Sequence, residues 1–343
     1  MPVKLKRLRD QVIVITGASS GIGLATAELA AERGAAVVLN ARNEMDLRKT
    51  IDRIRERGGR ATYLVGDVAD DETMDRLAQR AIDEFGGFDT WVNNAGVGIY
   101  GRLDEMTMAD KRRLFDVNFW GVVNGCRSAV RHLRERGGAI INIGSVASDR
   151  AIPLLGIYAA SKHAVKGYTD SLRMELEEAR APIAVTLVKP SSINTPFIEH
   201  ARNYMESEPE YGPPVYAPEE VARAILRCAE HPTRDITVGG GGRAMAVMGA
   251  VAPRLTDVYM EQAMFSAQKR DEPLDSARGG RAHAGDSLES PSRDGRRRGP
   301  TRRYTMERSL YTRAAMSDVT RALPAIAVGA LVAATVRAMR RAS

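Results

Sequence analysis

The chain has 343 residues, 44% of them apolar, with 50 lysines and arginines against 43 aspartates and glutamates. That length supports one large domain or two ordinary ones around a real core, and the composition excludes wholesale disorder. Two cysteines, Cys126 and Cys228, and five histidines stand at no metal-ligand spacing, which excludes a disulfide framework, argues against a metal centre and points to a reducing, cytoplasmic setting. The net charge of +7 is unevenly placed: from Ala267 onward 16 basic residues face 8 acidic ones, leaving 34 basic and 35 acidic groups in the residues before it. An electrically ordinary body argues against a nucleic-acid-binding face, and only the tail is basic.

Lys4, Lys6, Arg7 and Arg9 precede a run of only five residues, Val12–Thr16, before glycines begin, which is no signal-peptide pattern. Val12–Thr16 reads instead as a short buried strand. TGASSGIG (Thr16–Gly23) follows, and Leu24–Arg33 has helical periodicity ending at Gly34. The unit then repeats. Ala36–Asn40 is a strand, Met45–Arg57 a helix stopped by Gly58-Gly59, and Ala61–Val65 a strand. Asp70–Phe85 reads as a helix, Asp89–Asn93 as a strand, and Met108–Arg136 as one or two helices. Ala139–Ile143, Ile183–Val188 and Asp235–Val238 are the remaining strands, separated by helices at Tyr158–Ala179 and Pro218–Glu230. Seven β-branched runs alternating with helices predict an α/β fold, a Rossmann-type, doubly wound, mainly parallel seven-stranded sheet occupying residues 1–242. Residues 243–268 read as a helical extension and 269–303, rich in Gly, Ser, Pro and Arg, as a basic disordered linker. Residues 304–343 form a terminal helical segment in which Ala322–Val336 is uninterrupted and small-apolar. It is followed by Arg337, Arg340 and Arg341.

Four constellations carry chemistry. Gly17, Gly21 and Gly23 lie between a strand and a helix, where glycine lets backbone N–H groups approach a pyrophosphate at a helix N-terminus. The same glycines also serve tight packing alone. At the end of the next strand, Asn40 stands where an NAD-selecting fold places an acid, and Arg42 offers a guanidinium fork to a 2′-phosphate, which favours NADP(H). Tyr158 and Lys162 share one helix face, so an ammonium can support a phenolate and bring tyrosine towards proton transfer at neutral pH. Ser145 follows a strand's carboxyl end, facing the crevice where open α/β sheets bind ligands.

TGASSGIG, Asn93-Asn94-Ala95-Gly96, Asn118, Ser145, Tyr158 and Lys162 stand in an order and spacing that resembles the short-chain dehydrogenase/reductase family over Gln11–Val238. The resemblance implies Tyr158 as proton donor or acceptor, Ser145 orienting the substrate oxygen, and Lys162 holding the nicotinamide ribose and tuning Tyr158. It implies that Asn118 holds a proton-relaying water at a helix kink. Cofactor contacts are implied for Gly17, Ser19, Ser20, Gly21, Ile22, Gly23, Arg42, Asp67, Val68, Asn94, Ala95, Gly96, Pro190 and Thr195, with Asp67 at the adenine and Thr195 at the nicotinamide end. One departure is Pro190-Ser191 where the family usually has Pro-Gly; serine restricts a backbone that glycine leaves free. The competing reading, a dinucleotide-binding scaffold or sensor without turnover, has no need of an acid/base tyrosine.

Val97–Arg102, Val146–Ile157 and Ser191–Val215 are expected to face the substrate. Their Ile99, Tyr100, Pro153, Leu154, Leu155, Phe197, Tyr204 and Met205 suggest an apolar carbonyl or alcohol. For Ala322–Val336, about 22 Å long at about 1.5 Å per residue, three readings stand: a membrane-associating helix on the cytoplasmic face, a helix packed on the same or a neighbouring subunit, or a disordered extension. The resemblance also implies a homo-oligomer, a dimer or a tetramer.

Overall fold

A computed structural model describes residues 3–273, 286–291 and 295–317. The chain forms β1 (Val12–Thr16), α1 (Gly21–Glu32), β2 (Ala36–Ala41), α2 (Glu44–Glu56), β3 (Ala61–Val65), α3 (Asp71–Phe85) and β4 (Thr90–Asn93). After these come α4 (Met108–Phe115), α5 (Gly121–Arg136), β5 (Gly138–Ile143), α6 (Gly156–Glu178), β6 (Ile183–Pro190), α7 (Pro218–Glu230) and β7 (Asp235–Val238). All seven strands join one parallel sheet in the order β7-β6-β5-β4-β1-β2-β3. This is the seven-stranded Rossmann-type fold read from the sequence.

The strands lack apolar–polar alternation because helices cover both sheet faces. β2, β5 and β6 are buried at every position. One apolar layer gathers Ile13, Ile15, Leu39, Ile51, Val221 and Ile225; the other gathers Val14, Val38, Leu77, Trp91, Leu114 and Val185. Helix ends follow local chemistry. Asn43 accepts a hydrogen bond from the Asp46 N–H at the start of α2, Asp70 does the same for Glu72 at α3, and Gly86 ends α3 with a left-handed φ of 77°.

Strand order reverses between β1 and β4, so their carboxyl ends open a crevice at the switch point. The loops after β1, β2, β4, β5 and β6 all empty there and carry the residues singled out above.

The segment beyond β7 departs from the sequence reading. Residues 243–268, expected as a helical extension, fall into separate pieces: α8 (Gly240–Val251), α9 (Pro253–Tyr259), a π-helical turn at Met260–Met264 and a last helical turn at Phe265–Ala267. Pro253 sits in the first turn of α9, and Ala252 before it is held out of helical geometry at φ −134° and ψ 68°. Within the expected disordered linker, residues 286–291 and 295–303 instead lie against the body, where arginines, glycines and backbone groups find partners. A final helix, α10 (Leu310–Ala315), follows and packs by β7. Ala322–Val336 lies outside the described residues, among which no helix is long and apolar enough to cross a membrane.

Candidate active site

The glycine loop between β1 and α1 is shaped by close backbone approach. Gly17 has a φ of 64°, and a Cβ there would lie 2.7 Å from the Ala95 Cα; at Gly23 it would lie 2.2 Å from the Gly17 carbonyl oxygen. Asn94 ties the loop down, donating from Nδ2 to the carbonyls of Thr16 (3.0 Å) and Gly17 (3.1 Å). No side chain caps α1 at Ser20, so its first N–H groups face the crevice. Gly17, Ser19, Ser20, Gly21, Ile22, Arg42, Asp67, Val68, Asn94, Ala95, Gly96 and Thr195 line this crevice, about 940 Å³ including its open mouth. Gly23 lies beneath it as packing.

At the far end, Asn40 is fully buried, donates to the carbonyls of Leu64 (3.1 Å) and Gly66 (3.2 Å), and its Oδ1 has no partner among the described residues. Arg42 lies 3.7 Å from Asp67, which also pairs with Arg113. Burial lowers the Arg42 pKa. For Asp67 burial works against the charge, but the Ala69 N–H, Arg113 and Arg42 outweigh it and hold the carboxyl below its ordinary value. Backbone cradle, uncapped helix start and guanidinium together fit the phosphates of a nicotinamide dinucleotide, and Asn40 Oδ1 is an acceptor open to a donor.

A second cavity of about 910 Å³ adjoins the first, sharing Ile22, Asn94, Gly96, Thr195 and Phe197 with it. Ser145, Tyr158, Lys162 and Pro190 line it. Ser145 lies in the loop after β5, its Oγ accepting from the Ala147 N–H at 3.1 Å, and it opposes the rise that burial imposes on the Tyr158 pKa. Lys162, one turn along α6 from Tyr158, donates to the Ile143 carbonyl at 2.9 Å and lies 5.7 Å from the Tyr158 ring centroid. The expected lowering of the tyrosine pKa is not what these neighbours produce. Burial pushes Tyr158 up to about 12, with Ser145 opposing it, and pushes Lys162 down to about 8. Desolvation is the leading cause for both groups.

Asn118 lines neither cavity. It sits in a π-helical turn, Asp116–Trp120, between α4 and α5, where Oδ1 accepts from the Val97 N–H (2.8 Å) and Nδ2 donates to the Val97 carbonyl (3.0 Å). It thereby braces the loop after β4. Pro190-Ser191 brings no strain: Ser191 is not among the residues with positive φ, and its N–H donates to the Val238 carbonyl at 2.9 Å.

Tyr100, Leu155 and Phe197 line the second cavity as expected, whereas Ile99, Leu154, Tyr204 and Met205 pack behind or beside it. Ile152 and Tyr211, inside the segments expected to face the substrate, line it too. Sequence reasoning missed Met264 and Gln268, which also line it, and Arg113, which holds Asp67; Met264 carried an apolar signal but no periodicity assigning it to this wall. Nothing in the local sequence paired Arg113 with a residue 46 positions away.

An open parallel sheet with a glycine loop at its switch point, and a buried serine and lysine with a half-buried tyrosine beside it, defines a Rossmann-type oxidoreductase. The short chain dehydrogenase signature matches residues 11–206, and the chain belongs to the short-chain dehydrogenase/reductase family. It is 50% identical over 274 residues to the uncharacterized oxidoreductase YxnA of Bacillus subtilis, covering 79% of this chain and 77% of that one. It is 37% identical to 3beta-hydroxysteroid dehydrogenase 1 of Eggerthella lenta, over 67% of this chain and 90% of that protein. Among solved structures, a short-chain dehydrogenase/reductase from Burkholderia phymatum in complex with NAD matches at a TM-score of 0.65 and 27% identity, over 80% of this chain and 99% of that one. An alcohol dehydrogenase from Thermococcus sibiricus complexed with 5-hydroxy-NADP matches at a TM-score of 0.59 and 27% identity, over 66% and 95%.

Proposed function

We propose that the protein is an NADP(H)-dependent reductase of apolar ketones, interconverting them with secondary alcohols. The observation that carries this reading is that Ser145, Tyr158 and Lys162 line one largely apolar cavity, which adjoins the crevice lined by Arg42 and the glycine loop.

A bound nicotinamide supplies or accepts the hydride. The protein's own residues do the rest. The Ser145 hydroxyl donates to the substrate oxygen and fixes it near the Tyr158 phenol, which gives its proton to that oxygen in reduction and takes it back in oxidation. Lys162, held against the Ile143 carbonyl, supports the phenolate left behind and holds the cofactor ribose. Asn118 keeps the loop of Gly96 and Val97 in place and carries the relay that returns a proton from solvent. Gly17, Ser19, Ser20, Gly21 and Ile22 at the start of α1 would hold the pyrophosphate over the packing glycine Gly23, Arg42 the 2′-phosphate, Asp67 and Val68 the adenine, and Asn94, Ala95, Gly96, Pro190 and Thr195 the ribose and nicotinamide.

Ile152, Leu155, Phe197, Tyr211 and Met264 support a bulky apolar substrate, and the steroid named in the Eggerthella relative is of that kind. A panel of ring and long-chain ketones with NADPH and NADH tests the reading. Oxidation of NADPH, fastest with apolar ketones and at least about tenfold faster than that of NADH, is the expected result, a ratio set by one charged contact. Cofactor binding without reduction of any ketone would replace it with a binding scaffold.

A further inference from the structure

Residues 286–291 and 295–299 run along the cofactor crevice and engage the groups that hold a dinucleotide. At the Arg42 end, the Arg42 guanidinium donates to the carbonyls of Ser287, Leu288 (3.3 Å), Glu289 (3.2 Å) and Ser290 (3.3 Å). The Leu288 side chain is fully buried, and Arg113 also donates to the Leu288 carbonyl, at 3.1 Å. Midway, the Gly21 N–H at the uncapped start of α1 donates to the Arg296 carbonyl at 3.0 Å. At the other end the Gly299 N–H donates to Asn194 Oδ1 at 3.1 Å, and a Cβ on Gly299 would lie 2.3 Å from the Thr195 carbonyl oxygen.

The contacts at Arg42 and Gly21 put neutral carbonyls where the crevice is built for an anion. A guanidinium and a helix N-terminus both bind phosphate more strongly than an amide oxygen, because the anion adds attraction between opposite charges and, at the guanidinium, a bidentate fit. The arm is held elsewhere by ion pairs: Asp286 with Arg202, Arg296 with Glu199, and Arg298 with Glu219 and Glu307. These contacts leave the arm attached to the body while its carbonyls compete for the crevice.

Resting on the dinucleotide reading above, we propose that this arm is a built-in competitor for the cofactor: it caps Gly21 and Arg42 in the free protein and is displaced when NADP(H) binds. A site whose competent state is only partly populated shows an apparent Kd raised by that fraction, so loosening the arm tightens binding.

Two variants of the full-length protein loosen it at opposite ends. Leu288→Ser removes the buried anchor, and Gly299→Ala forces a methyl group against backbone that cannot give. Neither residue touches the reacting groups. Calorimetric titration with NADP+ is expected to give a Kd lower by about tenfold in each. Hydrogen exchange of the unmodified protein is expected to show the amides of 286–291 and 295–299 losing protection when NADP+ is added. A Kd unchanged or raised in both variants, or amides that stay protected, overturns the proposal while the dinucleotide site stands. Failure of NADP+ and NAD+ to bind any form overturns the parent reading, and the arm's role with it.

Discussion

The Lys162 ammonium is enclosed with the Ile143 carbonyl as its hydrogen-bond partner, and burial lowers its pKa from 10.5 to about 8. At about 1.4 kcal/mol for each pH unit between those values, burying the charge costs on the order of 3 kcal/mol near neutrality. The folded-state value lies below the unfolded one, so the unfolded chain binds this proton more tightly. The penalty is therefore full below pH 8 and fades as pH rises to 10.5. Lys162→Met is expected to abolish turnover. Its stability relative to the unmodified protein, measured by urea unfolding, should be best at pH 7 and decline from pH 8 to 10.5; a difference that does not change with pH contradicts the buried-charge account. Arg42 belongs to the same scale. Arg42→Asp replaces a phosphate-binding fork with a charge that repels phosphate and accepts from ribose hydroxyls. The NADPH-to-NADH ratio of kcat/KM is expected to fall by about 100-fold, and an unchanged ratio removes Arg42 from the selection of cofactor.

Among the elements, the β1–α1 loop depends on contacts that tolerate no extra atom. Gly23→Ala sets a methyl group 2.2 Å from the Gly17 carbonyl oxygen, backbone against backbone. It is expected to cost about 1–3 kcal/mol of stability and to weaken dinucleotide binding, read by a thermal melt and a titration side by side. Normal binding in a normally stable variant contradicts the close packing described. The element boundaries were largely legible. Seven apolar runs gave seven strands, and the helix expected from Leu24 begins earlier, at Gly21, because glycines that punctuate a sequence also form the first turn here. The break in Met108–Arg136 was open in the sequence as one or two helices, since a π-helical turn leaves the apolar period nearly intact. Tyr158, Lys162 and Ser145 came together as their spacing required, but their protonation energetics did not, because desolvation is a property of depth and no local spacing encodes it.

Over the whole molecule, the sheet and crevice were readable from periodicity and glycine placement, whereas the arm was not. Its hold on the body uses carbonyl oxygens of Ser287–Ser290 and Arg296, and every residue type carries a carbonyl, so a stretch poor in apolar side chains reads as linker. The substrate wall was half legible for a related reason: Met264 and Gln268 reach it from beyond the sheet, across a chain reversal that composition does not specify. The proposed reaction turns on one hydroxyl, that of Tyr158, which lines the second cavity. The most direct measurement compares the unmodified protein with Tyr158→Phe, following NADPH oxidation with an apolar ketone and NADP+ binding in parallel. The account predicts that binding persists while kcat falls by about 100-fold or more, the scale of a lost general acid. Turnover that survives the substitution would contradict it.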